Sequence, residues 1–161
     1  QTVFEAIMEA CRAYAPGARL DGVLVQPMAR PGTEIILGAT RDPVFGAVVT
    51  VGIGGVHVEL LRDVVHRIAP VGPEEAAAML RELRLSRLLD GIRGEPARDT
   101  AALCDAIWRF SLLAADLVAE FAEIDVNPLI LHAAGEGATI VDALIVRPRA
   151  TTRDAIAGGP G

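Results

Sequence analysis

Glu123-Ile124-Asp125-Val126-Asn127-Pro128-Leu129-Ile130-Leu131 is followed, after a glycine-bearing turn, by Ala138-Thr139-Ile140-Val141-Asp142-Ala143-Leu144-Ile145-Val146. Alternation predicts two strands, with Glu123, Asp125 and Asn127 on one face and Ile124 and Val126 on the other. On the second strand Ile140, Asp142 and Leu144 are expected to share a face. If the turn centres between Ala134 and Gly135, Asn127 lies directly opposite Asp142. Directly paired side chains have Cβ atoms roughly 5 Å apart. An amide oxygen and a carboxylate at that spacing can share one divalent ion, and oxygen-only ligands suit magnesium. On spacing alone the plainer alternative is the favoured one: Asn-Pro also ends strands, and Asp142 is also an ordinary solvated edge residue. A slip of one residue would separate the pair.

Working outward, the segments before this hairpin are helical. Asp99 or Thr100 caps a long helix reaching about Glu120, with Leu103, Ile107, Phe110, Ala114 and Leu117 as its apolar stripe. Pro73 suits the first turn of an earlier helix and is followed by Glu74 and Glu75, whose charge favours a helix amino end. That helix is expected to run to about Leu83, with a further helical turn to Asp90. Further upstream the pattern is extended: Gly22 to Met28, Glu34 to Thr40, Phe45 to Val51, and mixed segments at Val56 to Leu60 and Val64 to Ala69. The first two are expected to pair as a hairpin around Ala29-Arg30-Pro31-Gly32. A helix from Thr2 to Tyr14, carrying Val3, Ile7, Ala10 and Cys11 at helical spacing, opens the chain. Strands, then helices, then a hairpin make an α+β pattern with an antiparallel sheet packed by helices.

Composition excludes several classes. The chain has 161 residues, 52% hydrophobic and 22% charged, so it can bury a core and is not a disordered chain. No apolar run approaches the ~20 residues of a spanning helix, and no basic start precedes an apolar stretch. No membrane association is expected. The net charge of -6 argues against nucleic acid. Cys11 and Cys104 are read as buried free thiols in a reducing compartment, which points to the cytoplasm. All fifteen basic residues are arginine. With no lysine, a Walker A loop, a Schiff-base lysine and a phosphate-gripping lysine are excluded within this chain.

Three further features have both a plain and a functional reading. Backbone groups at Val25, Gln26 and Met28, beside Pro27, can read the edge of a base, and Glu34 can accept from ribose hydroxyls; a plain hairpin with a solvated glutamate is the alternative. Gly52-Ile53-Gly54-Gly55 can cradle an anion or make a tight strand connection. Glu59 and Asp63 are acid/base candidates or solvated residues. His57, His66 and His132 show no ligand spacing and are read as structural.

The ordered set Gly22-Val23-Leu24-Val25-Gln26-Pro27-Met28, Glu34-Ile35-Ile36-Leu37-Gly38, Arg41-Asp42-Pro43-Val44-Phe45-Gly46, Gly54-Gly55-Val56 with Glu59, Arg93-Gly94, Asp125-Val126-Asn127-Pro128-Leu129 and Val141-Asp142-Ala143 resembles the ATP-grasp domain of NDP-forming acyl-CoA synthetases. More distantly it is similar to the beta subunit of succinyl-CoA synthetase. The resemblance implies a partial ATP-grasp fold, with residues 1–146 as the carboxy-terminal subdomain and its leading helix, and 147–161 as a linker or disordered tail. The amino-terminal ATP-grasp subdomain, with its phosphate-contacting lysines, would be missing. Val25, Gln26, Pro27 and Met28 would form the adenine-side hinge, Glu34 would bind ribose, and Asn127 and Asp142 would coordinate magnesium beside ATP or ADP. Gln26 stands where the succinyl enzymes carry glutamate. The implied parent joins a carboxylic acid to CoA through an acyl phosphate and a phosphohistidine, and this chain alone would be inactive. Partners implied are ATP, the remaining ATP-grasp and CoA-ligase domains, and a second copy of the chain. Two other functions fit the same resemblance and pattern: a regulatory synthetase-like module of a protein acetyltransferase, and a ligand-free interaction domain.

Overall fold

The computed structural model describes residues 2–54, 63–92 and 94–148. Helix α1 spans Val3–Tyr14, strands β1, β2 and β3 span Thr33–Asp42, Gly46–Ile53 and Val64–Ile68, and helix α2 spans Pro73–Glu82. A 3₁₀ helix at Arg84–Asp90 leads to helix α3, Thr100–Asp116, and the chain closes with β4 (Glu123–Leu131), β5 (Ala138–Ile140) and β6 (Ala143–Val146). The sheet is antiparallel throughout, in the order β3-β2-β1-β4, with β5 and β6 both on the far side of β4.

Helices cover one face. Ile35, Leu37 and Ala39 of β1, Val49, Val51 and Ile53 of β2, Val65 of β3, and Ile124 and Val126 of β4 point there and are buried. They meet Met79 and Leu80 of α2 and Leu103, Ile107 and Ala114 of α3, with Phe121 closing the end. Of the stripe expected on α3, Leu103, Ile107 and Ala114 are fully buried, whereas Leu117 lies at the frayed end and stays exposed. Asp99 caps α3 by accepting from Ala102 N–H. Inside the core the Ser111 hydroxyl accepts from Val71 N–H at 2.9 Å and lies 2.7 Å from the Trp108 carbonyl, so α3 grips the strand-to-helix connection before α2.

Three expectations are corrected. The segment from Gly22 to Met28 is not a strand, and residues 15–32 form no regular element. The reason is topological: β1 is already paired with β2 on one side and β4 on the other, so no free edge remains for a partner from 22–28. Leu24, Val25 and Met28 are in consequence 81%, 87% and 95% exposed. Helix α1 forms as expected, held by a reciprocal capping box between Thr2 and Glu5. Its apolar stripe, however, meets little of the described structure: only Met8 is buried, and Val3, Phe4 and Ile7 are exposed. Cys11 is exposed and Cys104 half-buried, rather than both being buried. Burial pushes the Cys104 thiol above its ordinary pKa, against the pull of the Arg81 guanidinium.

The last correction concerns the hairpin. Its register is the expected one, since Leu129↔Ile140 and Val126↔Ala143 both centre the turn between Ala134 and Gly135. The second strand is nevertheless divided at Val141-Asp142. Opposite it, the pairing of β4 with β1 slips between Leu37↔Val126 and Ile35↔Leu129, so Asn127 and Pro128 together face Ile36. This bulge reverses the alternation along β4. Ile140 therefore turns to the helix side, where it lines a groove with Leu129 and Phe110, while Leu144 sits across from Asp125 on the other face. Ile140 and Leu144 do not share a face.

Candidate functional site: the open face of the sheet

Helices α2 and α3 leave the second face of the sheet uncovered. Its residues are the alternates of the core set, and paired residues across antiparallel strands share a face. One row across the sheet reads His66, Thr50, Gly38, Asp125, Leu144. The next reads Val64, Gly52, Ile36, then the Asn127-Pro128 bulge opposite Val141-Asp142. A third holds Glu34, Ile130 and Thr139, with Gly54 beyond Glu34. Glu123 lies in the row with Thr40 and Val146. The open face thus carries Glu34, Glu123, Asp125 and Asp142. The strand arginines, Arg41 and Arg67, alternate onto the helix side, where Arg67 pairs with Glu75 and Glu82 of α2.

Asn127 and Asp142 sit opposite one another, joined by Asn127 N–H donating to the Asp142 carbonyl at 3.2 Å and Val141 N–H donating to the Pro128 carbonyl at 3.0 Å. Both residues are exposed. Asp142 Oδ1 accepts from Ala143 N–H at 2.8 Å, which fixes the carboxylate and leaves Oδ2 without a partner among the described residues. The donor set is one amide oxygen and one carboxylate, which fits a hard divalent cation such as magnesium. Among the described residues no three His, Cys, Asp or Glu side chains converge as a metal cluster. A cation held by this pair would take its other ligands from water or from a phosphate-bearing ligand.

Gln26, Pro27 and Met28 border a groove of about 690 Å³, whose other wall is Thr139 and Val141 and whose end is Arg30. The strand-free segment is tied down beside β5 at Arg30 and Pro31. Arg30 pairs with Glu136 at 3.0 Å, and the buried His132 ring reaches the Pro31 carbonyl at 3.3 Å and Thr139 Oγ1 at 2.9 Å. Gly32 is required beneath it, because a Cβ there would meet the Leu131 carbonyl oxygen at 2.4 Å. Val25 lies outside the groove lining. Glu34 stands on β1 in the row of Thr139, two strand spacings or roughly 10 Å away. The hinge residues and the metal pair are therefore neighbours through Val141, and Glu34 is set apart from them across β4.

Other candidates resolve differently. Asp63 is 6% exposed and accepts from the Arg84 and Leu85 amides at 3.0 and 2.8 Å, so it holds the start of the 3₁₀ helix and is not an acid/base group. In the glycine cluster, Gly54 N–H already donates to the Glu34 carbonyl at 2.6 Å, and a Cβ on Gly52 would press on Val64 at 2.9 Å. Close strand packing explains both. Gly55, His57 and Glu59 lie outside the described residues, as does Arg93. Asp42 turns the chain from β1 to β2 by accepting from Phe45 and Val44 N–H, and these bonds hold its carboxyl below the usual range. Strand alternation was the available signal for Asp125, Thr50 and His66 on the open face, but it required knowing which face the helices leave bare.

Residues 1–146 match the ATP-grasp domain family. The chain belongs to the ATP-grasp family. This ATP-grasp chain is 42% identical over 143 residues to the beta subunit of ADP-forming acetate–CoA ligase II of Pyrococcus furiosus, covering 89% of the chain and 61% of that subunit. It is 37% identical over 142 residues to the ADP-forming 4-hydroxybutyrate–CoA ligase of Nitrosopumilus maritimus, covering 88% of the chain and 20% of that enzyme. Among solved structures it resembles the dinucleotide-forming acetyl-coenzyme A synthetase 1 of Ca. Korarchaeum cryptofilum, with a TM-score of 0.75 at 39% identity, covering 89% of the chain and 64% of the other. That structure holds coenzyme A and Mg-AMPPCP, with a phosphohistidine segment pointing towards the nucleotide binding site. The family expected from the ordered motifs is thus the one found. The ATP-grasp chain spans about three fifths of the length of the subunits it matches.

Proposed function

We propose that the open face is the nucleotide and magnesium floor of an ADP-forming acyl-CoA ligase. The observation that carries this reading is the pairing of Asn127 with Asp142 across the bulge, one residue from a groove bordered by Gln26, Pro27 and Met28. The groove is the adenine-side pocket. There the backbone of the strand-free segment, which makes no strand pairing among the described residues, is available to a base edge. Glu34, exposed on β1, accepts from ribose hydroxyls. Asn127 and Asp142 would hold magnesium, which would supply neutralisation of phosphate charge during phosphoryl transfer.

The rest of the phosphate cradle comes from elsewhere. No lysine occurs in the chain, so the phosphate-contacting lysines belong to the remaining ATP-grasp portion, together with the CoA-binding and phosphohistidine-bearing parts. The exposed apolar side chains of α1 and of Leu24, Val25 and Met28 fit a surface that packs against that portion. In this reading the parent enzyme passes a phosphoryl group between ATP and a histidine while joining a carboxylic acid to CoA in the cytoplasm, and the chain alone does not turn over.

The test is a calorimetric titration of ATP and ADP with and without magnesium, using Asn127→Ala plus Asp142→Ala as the control. Binding should need magnesium and weaken by at least about tenfold in the double variant, as loss of both charged and amide ligands implies. Magnesium-independent binding, or an unaffected double variant, removes the metal assignment. Silence in the full-length parent removes the nucleotide reading altogether.

A further inference from the structure

The wall of the groove that carries Gln26, Pro27 and Met28 has little backbone support. From Arg19 to Gly32 the chain makes no backbone–backbone hydrogen bond among the described residues. Its place opposite Thr139 and Val141 therefore rests on side chains. Two of them tie it to the β4–β5 hairpin. Arg30 pairs with Glu136, but the two side chains are 62% and 50% exposed, and an ion pair so open to water holds weakly. The other tie is His132, which follows β4 and is 1% exposed.

The His132 ring has one bond to each wall. Nδ1 lies 3.3 Å from the Pro31 carbonyl oxygen, at the end of the strand-free segment, and Nε2 lies 2.9 Å from Thr139 Oγ1 on β5. A carbonyl oxygen only accepts, so Nδ1 is the donor to Pro31; the Thr139 hydroxyl serves Nε2 as donor or as acceptor, and the Pro31 bond does not depend on which. The histidine backbone is itself held. Its N–H donates to the Gly137 carbonyl at 3.0 Å, and its carbonyl accepts from Asp99 N–H at 3.0 Å, while the Asp99 carboxylate accepts from Gly137 N–H at 2.9 Å. The ring thus joins a segment with no backbone bonds of its own to a turn that is fixed to the start of α3. Because the ring is buried, water does not replace a bond that it loses.

We propose that His132 is the positioning residue of the base-side groove: by donating from Nδ1 to Pro31 while bonded through Nε2 to Thr139, it sets the spacing of the two walls between which the base lies. The inference rests on the nucleotide reading above and deepens it, since His132 acts on the base end of the ligand through Pro31 and Thr139 and touches no ligand itself. Without the ring bonds the segment takes up other placements, and only the fraction with the groove formed binds the base, which weakens apparent affinity by that fraction. The magnesium end, carried by the paired strands at Asn127 and Asp142, keeps its geometry.

The experiment compares His132→Phe, His132→Asn and His132→Gln in the full-length protein, with magnesium-bound ATP and with magnesium tripolyphosphate as the ligand lacking base and ribose. His132→Phe keeps a ring but neither bond. It should weaken ATP about fivefold, the scale of one net hydrogen bond, and leave tripolyphosphate unchanged. His132→Asn, whose amide donates from the position of Nδ1, should recover most of the ATP affinity. His132→Gln, whose amide reaches the position of Nε2 instead, should not, and this pair decides the matter even if His132→Phe fails to fold. Equal losses for ATP and tripolyphosphate mean a general structural role and overturn the proposal, as does equal ATP affinity in the Asn and Gln variants. Unchanged ATP affinity in His132→Phe, with binding still lost in the Asn127→Ala plus Asp142→Ala control, overturns the His132 role and leaves the nucleotide reading intact. No ATP binding in the unaltered full-length protein overturns both.

Discussion

The helix-covered face of the sheet presents Ile35, Leu37, Ala39, Val49, Val51, Val65, Ile124 and Val126, all buried. One residue along on the same strands, the open face presents Glu34, Gly38, Thr50, His66, Asp125 and Asn127. The backbone is shared, so the contrast is one of side chains alone. The first face stores stability by removing apolar surface from water. The second contributes little to the core and keeps oxygen and nitrogen atoms free for a ligand. A single strand such as β1 therefore does two jobs at a period of two residues.

The largest effect expected of this division is on stability. Leu103→Ala, under the covered face, should cost about 2–5 kcal/mol in urea denaturation, as other buried leucine truncations do. Glu34→Gln on the open face should stay within about 0.5 kcal/mol. Comparable losses from the two would break the comparison. Gly38→Val turns it around. Valine suits a strand and its Cβ would meet its nearest neighbours at ordinary contact distance, so stability should change by less than about 1 kcal/mol. The gap between Thr50 and Asp125 would be filled, and ATP binding in the full-length parent should fall by about tenfold or more, as expected when a ligand group is sterically displaced. Retained affinity would mean that the ligand does not cross Gly38.

The smallest effect separates carboxylates used by the fold from those left to solvent. Asp99 accepts from Ala102 N–H and Gly137 N–H, which lowers its carboxyl below the ordinary value. A depressed folded-state value gives stability that is complete above the unfolded value, near pH 4 for aspartate, and is lost as pH falls through the folded one. Thermal melts across that acid range should therefore be flatter for Asp99→Asn than for the unaltered chain. An unchanged pH course would remove Asp99 from the acid limb.

Much of this was legible beforehand because alternation and capping are local. Glu123–Leu131 is the strand expected, the turn centre is the one on which the Asn127–Asp142 pairing is conditional, and α3 begins at the capping aspartate. The failures share one physical cause. Gly22 to Met28 has strand composition, but a strand needs a free edge, and β1 has none to offer. The α1 stripe has helical spacing, but spacing does not say whether anything lies against it. His66 reads as an isolated histidine until three strands bring it into the row of Gly38 and Asp125.

By itself the sequence determined the α+β class, the helix starts, the two hairpin strands that carry Asn127 and Asp142, and the absence of any lysine. These depend on neighbours a few residues apart or on composition. The register that sets the pair opposite one another needed the structure. Tertiary structure alone decided which face of the sheet is bare, that the bulge at Asn127-Pro128 sends Ile140 and Leu144 to opposite sides, and that Gln26, Pro27 and Met28 lie against Thr139 and Val141. Those outcomes depend on pairings between segments as much as about a hundred residues apart, whose competition for a limited number of strand edges leaves no mark on any one stretch of chain.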